Sequence, residues 1–533
     1  MTKSEAFNIV QERRSANYKP NIWKYDFLQS LFSAYDEDQY KTKMERLKED
    51  VKHLFFEAVN LEAKLELVDW IRKLGLASHF EVEIKEALDT IASSTKNSSL
   101  NIDKNLYVTA LSFTLLRQHG YEVSQEMFSE FLDEMGSFME SKCLDVKGVL
   151  ELFEASHVAL QGENILDEAK AFSIRILKDI KSRDDSNLSK HAAHSLDLPY
   201  HWRVQWFDVE WQINTYEKDK DTKNTLLDLA KLNFNIVQAT LQKDLKEISR
   251  WWSSLGLIEN LNFTRDRLVE SFLCSVGVAF EPQFSCLRKW LTKAIIMVLI
   301  IDDVYDVYGS LEELQHFTDA ISRRDTKEIE QLPECMQICF QALNSITGET
   351  ASKKVWADFC EALLVEAKWY HKGYTPTLQE YLDNAWISSS GTVLCVTSYF
   401  SLVNDEDMQD FMGINQDLVY NISLIIRLCN DLGTSVAEQE RGDAASSIVC
   451  YMREKNVSEE AAKNYVKSLI NNSWKKINGQ CFGLLPNCNH LNIITNMARV
   501  AHNLYQYGDG FGIQDREIKK QILSLLVDPL ELD

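Results

Sequence analysis

Two short groups of oxygen-bearing side chains in the second half of the chain have the spacing of a metal site. The first group is Asp302, Asp303 and Asp306, and the second is Asn430, Thr434 and Glu438. Positions four apart on an α-helix share one face, so the members at that spacing form two rows of oxygen ligands. Hard divalent cations such as Mg²⁺ bind a few such oxygens and complete their coordination with water and substrate phosphate. Two facing rows would therefore hold a diphosphate through bridging metal ions.

The alternative is that each group lies on a solvated helix face, where most carboxylates are found. The apolar run at residues 294–301 directly precedes Asp302 and Asp303 and leaves no polar face to place in water. Carboxylates that continue a buried helix are costly unless they are paired or bound to metal. The first group therefore favours a functional site, and the second group strengthens that interpretation.

Composition limits the partners of the chain. Its 57 Lys and Arg against 80 Asp and Glu give a net charge of −23, which argues against nucleic acid and anionic membranes as partners. No apolar run reaches the ~20 residues that a membrane-spanning helix needs. The 11 cysteines form no CxxC pair, and the first residues resemble neither a secretory signal nor a transit peptide, so a reducing, cytoplasmic location is expected.

The sequence predicts an all-α fold. Only 7 prolines and 19 glycines interrupt its 533 residues, and apolar residues recur at three- and four-residue steps, as in residues 61–71. A chain of this length exceeds what one growing core accommodates, so two domains are expected. The charged stretch at residues 217–224 precedes a new apolar pattern. We place the boundary there, giving domains of residues 1–224 and 225–533.

Four motifs together give the chain its resemblance to a known family. They are Asp302-Asp303-x-x-Asp306, the row of Asn430, Thr434 and Glu438, Arg265-Asp266-Arg267, and Arg13-Arg14 followed after eight residues by Trp23. With these motifs the chain resembles the plant class I terpene synthases over nearly its whole length. Within that family, the segments at residues 13–23, 204–209 and 437–443 are similar to those of (E,E)-α-farnesene synthases.

The resemblance implies two helical domains and a metal-dependent site. The C-terminal domain would be a class I terpenoid synthase bundle around an apolar cavity, and the N-terminal, α-barrel-like domain would be non-catalytic. Three Mg²⁺ or Mn²⁺ ions would bridge a prenyl diphosphate substrate, and the protein is expected to be a monomer. The implied metal ligands are Asp302, Asp306, Asn430, Thr434 and Glu438, with Asp303 in support. The implied substrate-binding residues are Arg265, Arg267, Cys274, Asp302, Asp306, Arg427, Asn430 and Tyr505, of which Arg265, Asp302 and Arg427 would be catalytic.

The implied chemistry follows from where charge develops. Breaking an allylic C–O bond leaves a carbocation and a more negative diphosphate, which metals and charged guanidinium groups stabilise in the transition state. The cation must be kept from water, so the pocket has to close. Candidates for closure are an N-terminal strap with Arg14 and Trp23, and the segment at residues 505–511, whose glycines permit a mobile loop. A plain surface turn is the alternative for that segment.

Two departures from the family pattern, at Cys274 and at Ser446-Ser447, and one feature shared with it, at Gly391, bear on the product. Cys274 stands where many relatives carry a Trp that faces the cavity, and a thiol lacks the ring face that stabilises a cation by about 0.5–2 kcal/mol. An acyclic product is therefore expected, unless Cys274 is ordinary apolar packing. Ser446 and Ser447 stand where some relatives place a diphosphate-binding Lys. Gly391, after three serines, indicates either a helix break that exposes carbonyls to the cavity or a simple kink.

The expected reaction converts (2E,6E)-farnesyl diphosphate to acyclic (E,E)-α-farnesene and diphosphate, through deprotonation of the allylic cation. One alternative is a monoterpene synthase that converts geranyl diphosphate to ocimene, myrcene or linalool. Another is a non-catalytic acidic helical scaffold. A chain-elongating prenyltransferase would need a second aspartate-rich motif, and a class II cyclase would need an Asp-x-Asp-Asp motif, which the sequence lacks.

Overall fold

The fold consists of helices joined by turns and loops. The computed structural model describes residues 18–96, 105–143, 145–182, 186–219, 221–261, 263–323, 329–346, 351–402, 408–441, 445–482, 489–512, 514 and 516–532. Within these ranges there is no β-strand, only one isolated bridge between Leu132 and Phe138. The predicted all-α fold class is confirmed.

The N-terminal half consists of helices of up to 20 residues. Its α-helices are α1 (Tyr25–Ser30), α2 (Asp38–Glu57), α3 (Leu61–Lys73), α4 (Glu81–Lys96), α5 (Leu106–Gln118), α6 (Val146–Ser156), α7 (Asn164–Lys181), α8 (Asn187–Asp197) and α9 (Gln205–Tyr216). Short 3₁₀ helices lie between them at Ala34–Asp36, Ala77–His79, Gln125–Phe131, Glu140–Lys142 and Tyr200–Trp202.

The C-terminal half contains longer helices. They are α10 (Asn224–Leu255), α11 (Leu257–Asn260), α12 (Leu268–Val278), α13 (Ser285–Asp303), α14 (Leu311–Arg323), α15 (Glu334–Ile346), α16 (Ala351–Lys372), α17 (Leu378–Ser388), α18 (Gly391–Leu402), α19 (Met408–Arg441), α20 (Ser447–Lys455), α21 (Glu459–Cys481), α22 (Asn489–Tyr505) and α23 (Arg516–Leu526). A 3₁₀ helix at Pro282–Phe284 precedes α13, and a π-helix at Val304–Tyr308 follows it. None of the described helices combines the length and the apolar character that crossing a membrane requires.

Local capping signals define several helix starts. The side chains of Asn60 and Asn105 accept hydrogen bonds from the backbone of α3 and α5, at 2.7 and 2.8 Å. Thr377 and Glu380 form a reciprocal capping box at the start of α17. These caps satisfy N–H groups that the first helical turn leaves without a partner.

Five helices of the C-terminal half form a closed ring. α12 packs on α13, α13 on α18, α18 on α19, α19 on α22, and α22 returns to α12. α16 packs against both α17 and α18, and α17 packs against α18 and α19. A ring of helices encloses space that only inward-facing side chains can fill, so its centre is where a cavity is expected.

The apolar core does not divide at residue 224. One cluster of buried side chains runs from Leu65 in α3 through Phe234 in α10 to Phe272 in α12. A smaller cluster around Phe113 and Leu152 lies within the N-terminal half. The predicted boundary coincides with the start of α10. The domain boundary at residue 224 stays a prediction, because the larger cluster of buried side chains extends across it.

The end of α13 differs from the expected geometry. The apolar run at 294–301 is buried apart from half-buried Val298, as predicted. Beyond Asp303, however, the chain widens into a π-helix rather than continuing as an α-helix, and Gly309 ends it by donating its N–H to the Val304 carbonyl at 2.8 Å. Single π-turns of this kind are frequent at functional sites.

The start of α13 is held by a buried ion pair, which yields a stability prediction. Arg288 donates to Asp244 of α10 through Nε at 3.0 Å and Nη2 at 2.7 Å, and both side chains are buried. Asp244→Ala would leave the guanidinium unpaired, so we expect the free energy of unfolding, measured by urea denaturation, to fall by about 3 kcal/mol.

The matched control removes an exposed ion pair between the same two helices. Lys289 of α13 contacts Glu247 of α10 at 2.7 Å. Glu247→Ala should cost less than about 1 kcal/mol, because solvent screens this pair. Equal losses for the two variants would contradict the assignment of Asp244 as an anchor of α13.

Candidate active site

A cavity of about 550 Å³ is lined by the five helices of this ring together with α16 and α17. Its apolar lining includes Leu291, Ile295, Phe359, Met497 and Val500. Along α13 the lining residues change from Leu291 and Ile295 to Asp302 at the end of the helix. The cavity is therefore apolar along its walls and acidic where α13 ends.

The first acidic group contains two kinds of aspartate. Asp302 and Asp306 both line the cavity, so the π-helix keeps them on one side despite its wider turn. Asp303 is fully buried and accepts hydrogen bonds from the Tyr18 hydroxyl at 2.8 Å and from the backbone N–H of Arg265 at 2.9 Å. Burial raises the pKa of Asp303 above its ordinary value, and Arg265 opposes that shift.

Arg265 lies at the centre of this wall. Its Nη2 contacts Asp302 at 2.6 Å and Asp303 at 2.9 Å, and its guanidinium lies 5.1 Å from the Tyr18 ring centroid. Although burial alone would lower the pKa of Arg265, the neighbouring Asp303, Tyr18 and Asp302 raise it well above its ordinary value. Arg265 is thus a permanently charged group that lines the cavity beside Asp302.

The second group, on α19, also contains a buried acid, but there the acid, Asp431, lines the cavity as well. Asn430 and Thr434 line the cavity, and the Thr434 hydroxyl donates to the Asn430 carbonyl at 2.8 Å. Between them, buried Asp431 accepts hydrogen bonds from the Tyr381 hydroxyl at 2.9 and 3.0 Å and from the Ser447 N–H at 2.9 Å. Burial raises the pKa of Asp431, and Arg427 opposes the shift. The side chain of Glu438 lies outside the described residues.

Arg427 faces the same cavity with a counter-ion of its own. Its Nη2 donates to the Ser388 hydroxyl at 2.9 Å and lies 3.5 Å from a carboxylate oxygen of Glu366. Glu366 and Ser388 also line the cavity, and the Ser388 hydroxyl donates to Glu366. Burial alone would lower the pKa of Arg427, and Glu366 and its other neighbours raise it well above its ordinary value.

Arg267 occupies a different place from the one expected. It is buried and, within the described residues, is not part of the cavity lining. Its guanidinium instead donates to the carbonyls of Phe511 at 2.7 Å, Gly512 at 3.3 Å and Lys19 at 3.2 Å. Arg267 therefore joins two segments of the chain, and its binding of diphosphate stays a prediction.

The N-terminal strap covers part of the site. Tyr18 lines the cavity, and buried Trp23 donates its indole N–H to Glu270 of α12 at 2.9 Å. Asn21 donates to Asp266 at 2.9 Å. Arg13 and Arg14 lie outside the described residues. The strap is thus anchored on both the Arg265–Arg267 segment and α12.

The segment after α22 covers another part of the cavity. Tyr505, Asp509 and Phe511 line the cavity, so this segment is more than a surface turn. We call residues 505–512 the cover loop. Where it passes α19, a Cβ at Gly433 would lie 2.8 Å from the Tyr505 carbonyl oxygen, closer than real Cβ contacts. Only glycine at 433 permits this approach.

The predicted helix break is present between α17 and α18. Ser390 adopts the left-handed region with φ of 64°, and Ser388, Ser389 and Ser390 line the cavity. A Cβ at Gly391 would lie 2.7 Å from the Ser423 Cα, so glycine allows α18 to approach α19. The break therefore brings polar groups to an otherwise apolar wall.

Cys274 lines the cavity in the middle of α12. Burial raises the pKa of its thiol to about 12, so it stays neutral. The residue thus contributes small, uncharged surface at the place where the resemblance would put a Trp. Ser446 also lines the cavity, and its hydroxyl has no hydrogen-bond partner among the described residues.

The oxygen donors fit divalent metal ions. Asp302, Asp306, Asn430 and Thr434 present carboxylate, amide and hydroxyl oxygens to one cavity from two helical segments. No three His, Cys, Asp or Glu side chains in the described ranges form a metal-binding group on their own. Ions held here would therefore share few carboxylates and depend on substrate oxygens, as hard cations at diphosphate sites do.

Three functional side chains could not be found from the sequence. Tyr18, Glu366 and Tyr381 each bind a charged group of the site from a distant segment. Glu366 and Tyr381 belong to ordinary amphipathic helices, and no spacing pattern distinguishes them from neighbouring residues. Tyr18 lies within the Arg13–Trp23 motif, which gave a signal for the strap but not for this contact.

The close approach at Gly433 generates a test of the cover loop. Gly433→Ala would push the Tyr505 backbone away from α19. We expect kcat/KM with the prenyl diphosphate substrate that the sequence resemblance implies to fall by about 10-fold or more, since small displacements of closing elements strongly reduce catalysis. Gly413→Ala on the same helix meets nothing within 4 Å and should keep full activity. Equal activity of both variants would contradict the need for this contact.

Comparison with known proteins identifies the family. The models described as "Terpene synthase, N-terminal domain" and "Terpene synthase family, metal binding domain" match residues 22–196 and 253–476. An alpha-farnesene synthase from Ricinus communis is 66% identical, over 100% of this chain and 98% of that protein. An (E,E)-alpha-farnesene synthase from Malus domestica is 57% identical, over 99% and 96%.

Solved structures agree with this result. The crystal structure of isoprene synthase from grey poplar leaves (Populus x canescens), in complex with three Mg²⁺ ions and dimethylallyl-S-thiolodiphosphate, has a TM-score of 0.86 and 42% identity. The match covers 96% of this chain and 99% of that chain. Fold, cavity and full-length similarity lead to one conclusion: this chain belongs to the terpene synthase family.

Proposed function

We propose that this enzyme is a sesquiterpene synthase that converts (2E,6E)-farnesyl diphosphate to (E,E)-α-farnesene and diphosphate. The observation that carries the proposal is a cavity with apolar walls and with arginines and two groups of oxygen donors at its polar side. The similarity to two farnesene synthases at 66% and 57% identity supports the choice of substrate and product.

Metal ions would complete the polar side of the site. Asp302, Asp306, Asn430, Thr434 and Glu438 would hold three Mg²⁺ or Mn²⁺ ions. The isoprene synthase structure with three Mg²⁺ ions supports this number. When bound, the ions would neutralise the diphosphate and stabilise the negative charge that develops on it.

Two arginines of the chain act on the same diphosphate, which is the leaving group of the reaction. Arg265 and Arg427 remain cationic and present N–H donors to the cavity, where bidentate contacts with phosphate oxygens are favourable. As the allylic C–O bond breaks, its electron pair goes to diphosphate and the cation remains in the apolar part. Because negative charge on the diphosphate grows along this path, the arginines stabilise the transition state more than the bound substrate.

Water exclusion then decides the product. The strap and the cover loop lie across the polar side, while apolar side chains surround the hydrocarbon. The cation loses a proton from a neighbouring carbon to give a new double bond. We infer that diphosphate accepts this proton, because it is the strongest base released into a dry cavity.

Two further expectations accompany this proposal. A cytoplasmic location and a monomeric state stay predictions.

Activity assays with farnesyl and geranyl diphosphate side by side, with gas chromatography of the products, would test the substrate. Exclusive turnover of geranyl diphosphate would overturn the sesquiterpene assignment, and no diphosphate release from either would overturn catalysis.

Removal of one metal ligand tests the polar side. Asp302→Ala should lower kcat by at least about 100-fold, because it removes a cavity-facing oxygen donor and the partner of Arg265. The far-ultraviolet circular dichroism should stay unchanged. Asp319→Ala is the control, since Asp319 lies on α14 in an i,i+4 pair with Arg323, whose side chain is 71% exposed. Retained activity of Asp302→Ala would refute the metal assignment.

Enlarging Cys274 tests the acyclic outcome. Cys274→Trp places an aromatic face in the cavity, which favours folding of the cation onto itself and reduces the space for a C15 chain. We expect the farnesene share of the products to fall and cyclic products or loss of turnover to appear. Cys274→Ala, which keeps the site small, should retain farnesene as the main product. An unchanged profile for Cys274→Trp would show that residue 274 does not influence the cation.

A further inference from the structure

The N-terminal half contacts the cover loop through one carboxylate. Gln506 Nε2 and the Tyr507 hydroxyl both donate to Oδ2 of Asp197, at 2.7 and 2.8 Å. Asp197 is the last residue of α8, more than 300 residues away in sequence. Hydrogen bonds to a charged acceptor are among the stronger ones in proteins.

The position of Asp197 is fixed by its surroundings. Arg203 donates to the carbonyls of His194 and Leu198 on either side of it, at 2.8 Å for Leu198. Arg203 is in turn paired with buried Asp208 at 3.4 Å. Asp197 therefore sits on a braced segment rather than on a free helix end.

The loop that it binds has direct access to the cavity. Tyr505, immediately before Gln506, lines the cavity, and so do Asp509 and Phe511. The far end of the loop is bound by buried Arg267, whereas Asp197 and Tyr507 are exposed. The two ends are thus tied differently, one by a buried cation and one by a solvent-accessible carboxylate.

We propose that Asp197 is a positioning residue that holds the start of the cover loop over the active site. This inference rests on the proposed function, because it assigns the loop a role in excluding water from the cation. It also gives the N-terminal half, which contributes no group to the metal-binding rows, a part in the reaction. Loops that close active sites have low local stability, so a few contacts control their population of the closed state.

Two kinds of measurement test the proposal. In Asp197→Ala, hydrogen–deuterium exchange of the peptides covering residues 505–512 should become faster, while exchange elsewhere in α22 stays unchanged. With farnesyl diphosphate, kcat/KM should fall about 3- to 10-fold, the effect expected for hydrogen bonds to a charged acceptor. The share of C15 alcohols formed by water capture should rise at the expense of the hydrocarbon.

We call the contact of Asp197 with Gln506 and Tyr507 the tether. Three further variants separate loss of the tether from general destabilisation of the protein. Asp197→Asn keeps an acceptor oxygen but loses the charge, so its loop exchange rate and kcat/KM should lie between those of Asp197→Ala and the wild type. Tyr507→Phe removes one donor, and its effect should be smaller than additive when combined with Asp197→Ala, since both remove the same contact. Asp50→Ala changes an exposed aspartate of α2 in the same half and should match the wild type.

The possible results distinguish a failure of the tether proposal from a failure of the proposed function. Exchange and product distribution in Asp197→Ala that match those of Asp50→Ala would overturn the tether. Strict additivity of Asp197→Ala and Tyr507→Phe would overturn it as well. If the wild type forms no farnesene, the proposed function fails, yet the exchange measurement still decides whether Asp197 holds the loop.

Discussion

The buried carboxylate of Asp303 is the contact on which the site depends. It receives the Tyr18 hydroxyl from the strap, the Arg265 backbone and the Arg265 guanidinium, so two segments distant in sequence converge on one carboxylate. A carboxylate without solvent is strongly destabilising unless it is paired and hydrogen-bonded. The need to satisfy Asp303 therefore fixes where Arg265 and the strap lie, and Asp302 remains as the neighbour that faces the cavity.

A similar arrangement occurs on α19. Asp431 is buried and satisfied by Tyr381 and the Ser447 backbone, while Asn430 beside it faces the cavity. In each motif a buried acid is hydrogen-bonded by other segments and the residue before it presents oxygen to the cavity, which Asp431 lines as well. Such a division explains why adjacent polar residues are useful here. A single exposed acid would have no fixed direction, and a single buried one would offer nothing to a metal ion.

The sequence predicted what depends on local pattern and missed what depends on tertiary pairing. Helix content, the buried run before Asp302 and the break at Gly391 follow from apolar periodicity and from serine and glycine placement, and the structure has them. The π-turn after Asp303 was not predictable, because it arises from packing around an otherwise helical sequence. The motif containing Arg267 predicted a phosphate-facing guanidinium. To predict that Arg267 instead binds backbone carbonyls of the strap and the cover loop, one would have to know which loops meet in the fold.

A dry cavity also requires the two halves of the chain to act as one body. Asn478 of α21 bonds the His157 and Ala159 carbonyls and the His201 ring, and Arg499 of α22 donates to the His201 carbonyl. These contacts hold α21 and α22 against the N-terminal half, and the cover loop extends from the end of α22. The larger cluster of buried apolar side chains, which crosses residue 224, has the same effect. Because the cover can exclude water only if its support does not move, burial between the halves is part of what protects the cation, although the N-terminal half supplies none of the oxygen donors.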